Sequence, residues 1–503
     1  MTTPLVLDQP PRHLTAEHRE ELRGLFTRLI DLGLDFKLQD SVFQARRQPF
    51  ELRDTLLVPL PEEGSPIEAV LDEFVRDVLP DCKNENSPFF LGFGDTGDDV
   101  AALCGGLLSL FTQQNLINQS FDSPSGTFVE IAVLRWLRGL LGYRNSAVER
   151  TESIWDVGGC VTHGGTLSNT IAMMLAREHR APGTMEHGIT DPSKLSIVVP
   201  RGIGHYSVKS AMAWIGCGSR LVEVDTIDFR YDLRALERTL RKEAGSVMAV
   251  VAYAGDSRTH TIENLSGVHD LVRSVDESIW LHADACWGLA CALTDKLSHK
   301  IDGIGGFDSI TVDPHKVMGI PYALSALLVR DPAHMRMVAS YSDLIMQEDF
   351  AIGQTTPFIG SKAWMSLKLW MMVKAYGRSG LAAMVERRLE TTRRFTELVD
   401  ASPRLVRLND PDLTAVAFMY VPADVDLAAP DVDRINKVNQ AIHDRMLAEG
   451  TWHLHQFSLP DKGTFYRGAT LYPLRFMGQN LRIEEHHLTG VLDHVTALGR
   501  DCE

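Results

Sequence analysis

The stretch Asp308 to Gly319, DSITVDPHKVMG, poses the question from which the rest of the chain is read. Its β-branched run Ser309 to Val312 reads as a strand, and it leads through Pro314 and His315 straight to Lys316 before a second apolar segment, VMGIPYALSALLV, begins. A lysine there is costly to keep charged unless a partner stands beside it, and lysines that form Schiff bases use that shift. The other reading is a strand-end lysine whose ammonium reaches water along its own aliphatic stem. The stretch alone leaves both open.

Working outward, short β-branched runs alternate with longer runs of helical spacing between Ile154 and Val329. The short ones are SIVVP, VMAVVAYAG, SIWLHADAC, DSITVD and ALSALLVRD. That alternation predicts an α/β unit with a mainly parallel central sheet. Upstream, LTAEHREELRGLFTRLIDLGLDF carries Leu22, Leu25, Phe26, Leu29 and Ile30 at helical spacing, and the Pro- and Glu-rich VPLPEEGSPIEAV reads as a connector. FDSPSGTFVEIAVLRWLRGLLGY is again helical in period. Downstream, WMSLKLWMMVKAYG predicts a helix leading out of the sheet, and LTAVAFMYVP a strand of a smaller α+β unit. The expected division is an N-terminal helical arm over 1–86, a large α/β unit over 87–376 and a small unit over 377–503.

A chain of 503 residues suits two or three such units, and 44% hydrophobic with 23% charged residues fits a soluble globular protein. A net charge of -16 argues against nucleic acid or an anionic membrane as the main partner. The N-terminus lacks a basic region followed by a long apolar core, and no apolar run is long enough to span a bilayer. The seven cysteines are scattered, with no C-x-x-C pair, which favours reduced thiols in a cytoplasmic protein.

Three other segments join Lys316. GGCVTHGGTLSNTIAMMLARE is a Gly-rich turn followed by a helix from Leu167 to Glu178. A helix N-terminus is a natural phosphate seat, and Gly164 and Gly165 let the backbone approach closely, although an ordinary helix start capped by Thr166 or Ser168 reads equally well. In SIWLHADACWG an apolar strand ends on Asp284, at the edge where α/β sheets bind ligands. Such an aspartate is a helix cap, a core ion pair, or the partner of the protonated ring nitrogen of a pyridine cofactor. In GIGHYSVKSAMAWIGCG, His205 opens a helical run and is either structural or placed to stack on a flat cofactor and shuttle protons.

Taken together and in this order, the Gly-rich turn, the histidine, HADACWG and DPHK resemble the group II pyridoxal-5'-phosphate-dependent amino-acid decarboxylases. That family includes the glutamate, cysteine sulfinate and aromatic amino-acid decarboxylases. The resemblance runs from SPFFLGF to SLKLWMMVKAYG, with an echo at LYPLRFMGQN. It implies fold type I, the aspartate aminotransferase-like fold of pyridoxal-phosphate enzymes, in a homodimer with active sites at the interface. It further implies pyridoxal 5'-phosphate held on Lys316, Asp284 at the pyridinium nitrogen and His205 on the ring, with Ala285 or Cys286 beside that strand end. Gly164, Gly165, Thr166 and His315 are implied on the phosphate side, and Phe90, Asn115 and Arg475 toward the substrate, the last as a bidentate carboxylate clamp.

The chain departs from the family in three places. The family's proton-donating loop tyrosine corresponds to Tyr341 in HMRMVASYSDLIMQEDFAIGQTTP, or its place is taken by Leu344. AGDSRTHTIENL sets Asp256 and Ser257 where threonine hydroxyls are usual near the cofactor. The family's arginine ahead of the KLW helix is Lys362, which cannot make a bidentate contact. DTGDD and TQQN lean toward the glutamate-type branch. His453 and His455, like His486, His487 and His494, show no metal-ligand spacing and read as surface or interface residues.

The resemblance therefore implies decarboxylation of an L-amino acid to its amine. The alternatives are a decarboxylation diverted to an aldehyde by oxidation or transamination, and a non-catalytic binding protein on the same fold. A nicotinamide oxidoreductase is disfavoured, since no G-x-G-x-x-G follows a strand.

Overall fold

Aliphatic and β-branched runs that alternate with helices are stable when a sheet is covered on both faces. The computed structural model, which describes residues 14–144, 151–346 and 349–503, has that arrangement at its centre. The strands are β1 Gly159–Thr162, β2 Ser196–Pro200, β3 Leu221–Val224, β4 Val247–Tyr253, β5 Trp280–Asp284, β6 Ser309–Val312 and β7 Ser325–Val329. They form one sheet in the order β1-β7-β6-β5-β4-β2-β3. Strands β2 to β6 pair in parallel, whereas β7 runs antiparallel to both β6 and β1.

The five strands legible in the sequence are all present. The two that were not, β1 and β3, have less to show: β1 is four residues inside a Gly-rich run, and β3, at the sheet edge, carries the exposed Glu223. Alternate residues of each inner strand feed two cores. Val250, Ala252, Ala326 and Leu328 face one; Ala249, Val251, Leu327 and Val329 face the other, covered by Ile171, Met173 and Leu175.

The helices that frame the sheet and its arm include α1 Arg19–Leu38, α2 Pro49–Leu56, α3 Ile67–Glu73, α4 Val100–Thr112, α5 Gly126–Leu140, α6 Gly165–Arg180, α7 Tyr206–Trp214, α8 Ser366–Ala401, α9 Val432–Glu449 and α10 Glu485–Cys502. The first three form an arm that buries no residue of its own. Helix α8 is broken at Gly377, whose φ of 60° and ψ of -177° are open to glycine. It leads to a second sheet of β8 Leu405–Arg407, β9 Ala415–Tyr420, β10 His455–Gln456 and β11 Leu474–Met477, in the order β8-β9-β11-β10 and antiparallel throughout. Its core includes Phe395 stacked on Phe476 at 3.8 Å. Among the described residues, no helix is long and apolar enough to cross a membrane.

Because β4, β5 and β6 are parallel and in register, with Tyr253 opposite Asp284 and Asp284 opposite Thr311, their C-terminal ends open on one edge. Ligands of parallel sheets bind at that edge.

Candidate active site

Lys316 sits in the single helical turn Pro314–Val317 that follows β6, and its Nζ is 2.7 Å from Oδ2 of Asp313. Burial works to lower the lysine's pKa, but Asp313, helped by the Cys286 thiol and Asp95, outweighs it and holds the ammonium well above its usual range. For Asp313 burial works upward, yet Lys316 and His315 bring it down to about 2. The lysine is thus a half-buried, paired ammonium.

Around it lies a cavity of about 290 Å³ walled by His163, Gly164, Gly165, Thr166, Asn169, His205, Ser207, Ser257, Asp284, Cys286, His315 and Tyr322, among others. It opens into an outer compartment of about 590 Å³, whose walls include Glu85, Phe93, Arg258, His455, Phe457 and Arg475. Asp95, His205, Tyr206, Ser257, Trp287, Lys316 and Tyr322 border both.

Asp284 ends β5 only 5% exposed, and its carboxylate is fixed from two sides. Oδ2 accepts from Asn169 Nδ2 at 3.0 Å, and Oδ1 from the Cys286 N–H at 3.2 Å. The same Asn169 amide donates to Ser207 Oγ at 2.9 Å, and Ser207 Oγ lies 2.7 Å from His205 Nδ1. Asn169 Oδ1 meets Nε2 of His282, whose Nδ1 meets Ser309 Oγ at 2.8 Å. Burial brings the His282 pKa down to about 4. Burial also lowers that of His205, against Asp284. Both rings are neutral at physiological pH, so the Asp284 charge is held by neutral donors.

Helix α6 starts at Gly165, two residues before the sequence suggests, with Gly164 as N-cap and no side chain capping it. A Cβ at Gly164 would meet open space, whereas one at Gly165 would lie 2.8 Å from Asp313 Oδ2 and 2.9 Å from Cys286 Sγ. The helix therefore offers bare N–H groups and room beside them for an anion. Pyridoxal phosphate carries an aldehyde, a basic ring nitrogen and a phosphate. Lys316, the fixed carboxylate of Asp284 and the bare α6 terminus answer these in turn, so the residues present fit it.

Several expected residues stand elsewhere. Ala285 is fully buried with its N–H donated to Thr311, and Cys286 is the one that faces the cleft. Asp256 is turned inward: its carboxylate accepts from the N–H groups of Arg258, Thr259 and Thr261 and knits its own turn, while Ser257 lines the cavity. Phe90 is buried, stacked on His453 at 4.7 Å, and Phe93 takes the place on the wall. Asn115 caps the N–H of Lys362 at 2.9 Å and is not among the lining residues.

Arg475 does line the outer compartment, between the rings of Phe93 and Phe457. Its terminal nitrogens already donate to the Ser257 and Gly92 carbonyls, leaving Nε without a partner, so it offers no bidentate face. Lys362 is a core residue paired with Glu130 at 2.8 Å. Tyr341 is 71% exposed beside Trp155, and Leu344 is 81% exposed; neither lines the cleft. His455, read as a surface or interface residue, is half-buried in the outer wall.

Asn169, His282, Asp95 and Tyr322 were not singled out in the sequence. For Asn169 the signal was its position on the first turns of the glycine-led helix.

The chain is 28% identical over 446 residues to cysteine sulfinic acid decarboxylase of Rattus norvegicus, covering 85% of this chain and 87% of the relative. It is 30% identical over 422 residues to L-2,4-diaminobutyrate decarboxylase of Rhizobium meliloti (strain 1021), covering 81% and 80%. Among solved structures, mouse CSAD in apo form superposes with a TM-score of 0.84 at 24% identity, covering 96% of this chain and 99% of that one. Oryza sativa TDC with PLP and tryptamine superposes with a TM-score of 0.86 at 19% identity, covering 98% and 99%. The two structures show the shared fold. Residues 49–421, which contain every element of the Lys316 cavity, match the model of the pyridoxal-dependent decarboxylase conserved domain, and to that family of pyridoxal-phosphate amino-acid decarboxylases the chain belongs.

Proposed function

We propose that the protein decarboxylates an L-amino acid to the corresponding amine and CO₂, as a cytoplasmic homodimer. The observation that carries this is the convergence of Lys316, Asp284 and the uncapped α6 terminus on one cavity. Bound there, pyridoxal phosphate supplies an aldehyde for the substrate amine and a ring that delocalises the electrons left when CO₂ departs. Lys316, oriented by Asp313, is the nitrogen that would meet that aldehyde once its ammonium has given up a proton. Asp284, anchored by Asn169 and the Cys286 N–H, holds a proton at the ring nitrogen. His205, its Nδ1 accepting from the Ser207 N–H, is a neutral imidazole whose proton sits on Nε2, from which it can be given. Gly164, Gly165 and Thr166 hold the phosphate, with His315 near by. Phe93 and the guanidinium plane of Arg475 border the substrate in the outer compartment.

The dimer is supported by the helical arm, where Leu29, Ile30, Leu34 and Leu38 are exposed, and by Leu107, Leu108, Leu110 and Phe111 on α4. Seven free cysteines support a reducing compartment. The break at Gly377 supports a boundary between the large unit, 87–376, and the small one, 377–503, with the arm over 1–86.

A second reading rests on Tyr341, which stands outside the cleft. If no donor returns a proton to the α-carbon, dioxygen and water can take the reaction to aldehyde, CO₂, ammonia and hydrogen peroxide. The test is an absorbance spectrum of wild type and Lys316→Ala with pyridoxal phosphate, then product analysis on a panel of L-amino acids. A visible band that borohydride fixes only in the wild type, with amine and CO₂ in equal amounts, is the expected result. Aldehyde with peroxide would establish the second reading, and identical behaviour of both proteins would overturn both.

A further inference from the structure

Three aspartates follow one another in DTGDD, and the structure gives them different tasks. Asp99 caps α4 by accepting from the Ala102 N–H at 2.7 Å, and Asp98 accepts the Thr96 hydroxyl. Asp95 instead faces the cleft, bordering both compartments while only 9% exposed. Its Oδ1 has no hydrogen-bond partner, and Nε2 of His315 is 3.9 Å away, beyond hydrogen-bond reach. The Tyr322 hydroxyl donates to the carboxylate, so it is Oδ1 alone that stays unpartnered. Burial raises the Asp95 pKa, and Lys316, His315 and the Tyr322 hydroxyl do not offset it.

The neighbouring cations each have another hydrogen-bond partner, and Lys316 acts on Asp95 only through its charge. Lys316 has Asp313 at 2.7 Å. Lys83 pairs with Glu85 at 2.6 Å, Arg258 donates through Nε to the Ser458 carbonyl at 3.2 Å, and Arg475 donates to two backbone carbonyls. A buried carboxylate left this way is costly in the free protein and favours a ligand that brings the missing donor. The surrounding wall, with Phe93, Trp287, Tyr322 and Phe457, presents ring faces that attract a cation. An anionic side chain would be repelled by Asp95, and a hydrocarbon one would leave its oxygen unsatisfied.

We infer that Asp95 is the specificity-determining residue of the site and that the substrate is a diamino acid, its side-chain ammonium received by this carboxylate. This rests on the decarboxylase reading above and names the substrate class for it.

The test uses the holoenzyme with L-2,4-diaminobutyrate and L-ornithine set against L-norvaline, L-glutamate and L-phenylalanine. Binding of 1,3-diaminopropane and of propylamine is measured in parallel by calorimetry. A charge-assisted hydrogen bond predicts kcat/KM for a diamino acid above that for L-norvaline by on the order of 10- to 100-fold, mostly through KM, and a similar preference for the diamine. Asp95→Asn should bring both ratios toward one, while Asp95→Glu keeps part of each. Faster CO₂ release from L-glutamate or L-phenylalanine, with ratios unmoved by Asp95→Asn, overturns the inference and leaves the decarboxylase reading standing. No CO₂ from any amino acid overturns that reading instead. The calorimetric preference and its dependence on Asp95 then decide the role of the carboxylate alone.

Discussion

Asn169 and Asp284 are joined by a 3.0 Å hydrogen bond between α6 and the end of β5, and the same amide donates to Ser207 beside His205. One side chain therefore sets the position of the residue assigned to the ring nitrogen and, through Ser207, of the imidazole. Asn169→Ala removes a donor from a buried carboxylate, a loss of about 1–3 kcal/mol in favourable cases. Cofactor affinity, read by fluorescence titration, is expected to fall by on the order of 10- to 100-fold, with the fold intact by circular dichroism.

The Asp313–Lys316 pair makes a pH signature. Asp313 has its pKa brought from 3.8 to about 2, so the stability it contributes, on the order of 2 kcal/mol, is present above pH 3.8 and lost as pH falls toward 2. Lys316 is raised, so its contribution is present below 10.5 and lost at higher pH. Wild type and Asp313→Asn should differ in melting temperature near neutrality and converge as pH falls through that acid window. Without Asp313, burial dominates and the Lys316 amine should become reactive toward an aldehyde at lower pH, measured by borohydride trapping of pyridoxal phosphate on the apoprotein.

Gly165→Ala places a methyl group 2.8 Å from Asp313 Oδ2 and 2.9 Å from Cys286 Sγ, closer than either contact tolerates. Helix propensity alone would favour alanine. The expected outcome is weakened retention of the cofactor on gel filtration, with no gain in melting temperature; a more stable variant that keeps its cofactor would show that the turn yields freely.

Lys362 and Glu130 are both fully buried, 2.8 Å apart, with the Lys362 ammonium also donating to the Val161 carbonyl at 2.7 Å. Lys362→Met strands Glu130 and is expected to cost about 3–5 kcal/mol. Adding Glu130→Leu should recover most of it, since a buried pair replaced by apolar groups is close to neutral. Urea denaturation of the two variants reads the difference.

The parts of this site that sequence reveals are those where pattern and polarity change together. An apolar strand that ends on Asp284 or leads to Lys316 is conspicuous, because the sheet interior excludes such residues until the strand has emerged. DTGDD is opaque for the opposite reason. Three carboxylates within five residues look alike, and only the turn of the backbone decides that Asp99 caps a helix while Asp95 enters the cleft. Asp256 was legible as an intruder but not in its direction, since local N–H groups drew it inward. Lys362 likewise depends on Glu130, more than 200 positions away, which no local pattern connects to it.

The antiparallel course of β7 bears on how this region can vary. Asp313 leaves β6, Ser325 opens β7, and the two are bonded side chain to side chain at 2.5 Å, while His315 Nδ1 meets the Leu324 carbonyl at 2.7 Å. Val312 faces Ala326 across the ladder, so the excursion bearing Lys316 is closed at both ends by adjoining rows of one sheet. A residue added in the loop after Lys316 can be absorbed there only while both closures hold. A graft from a relative must therefore keep the Asp313–Ser325 and His315–Leu324 bonds, whatever its length between them.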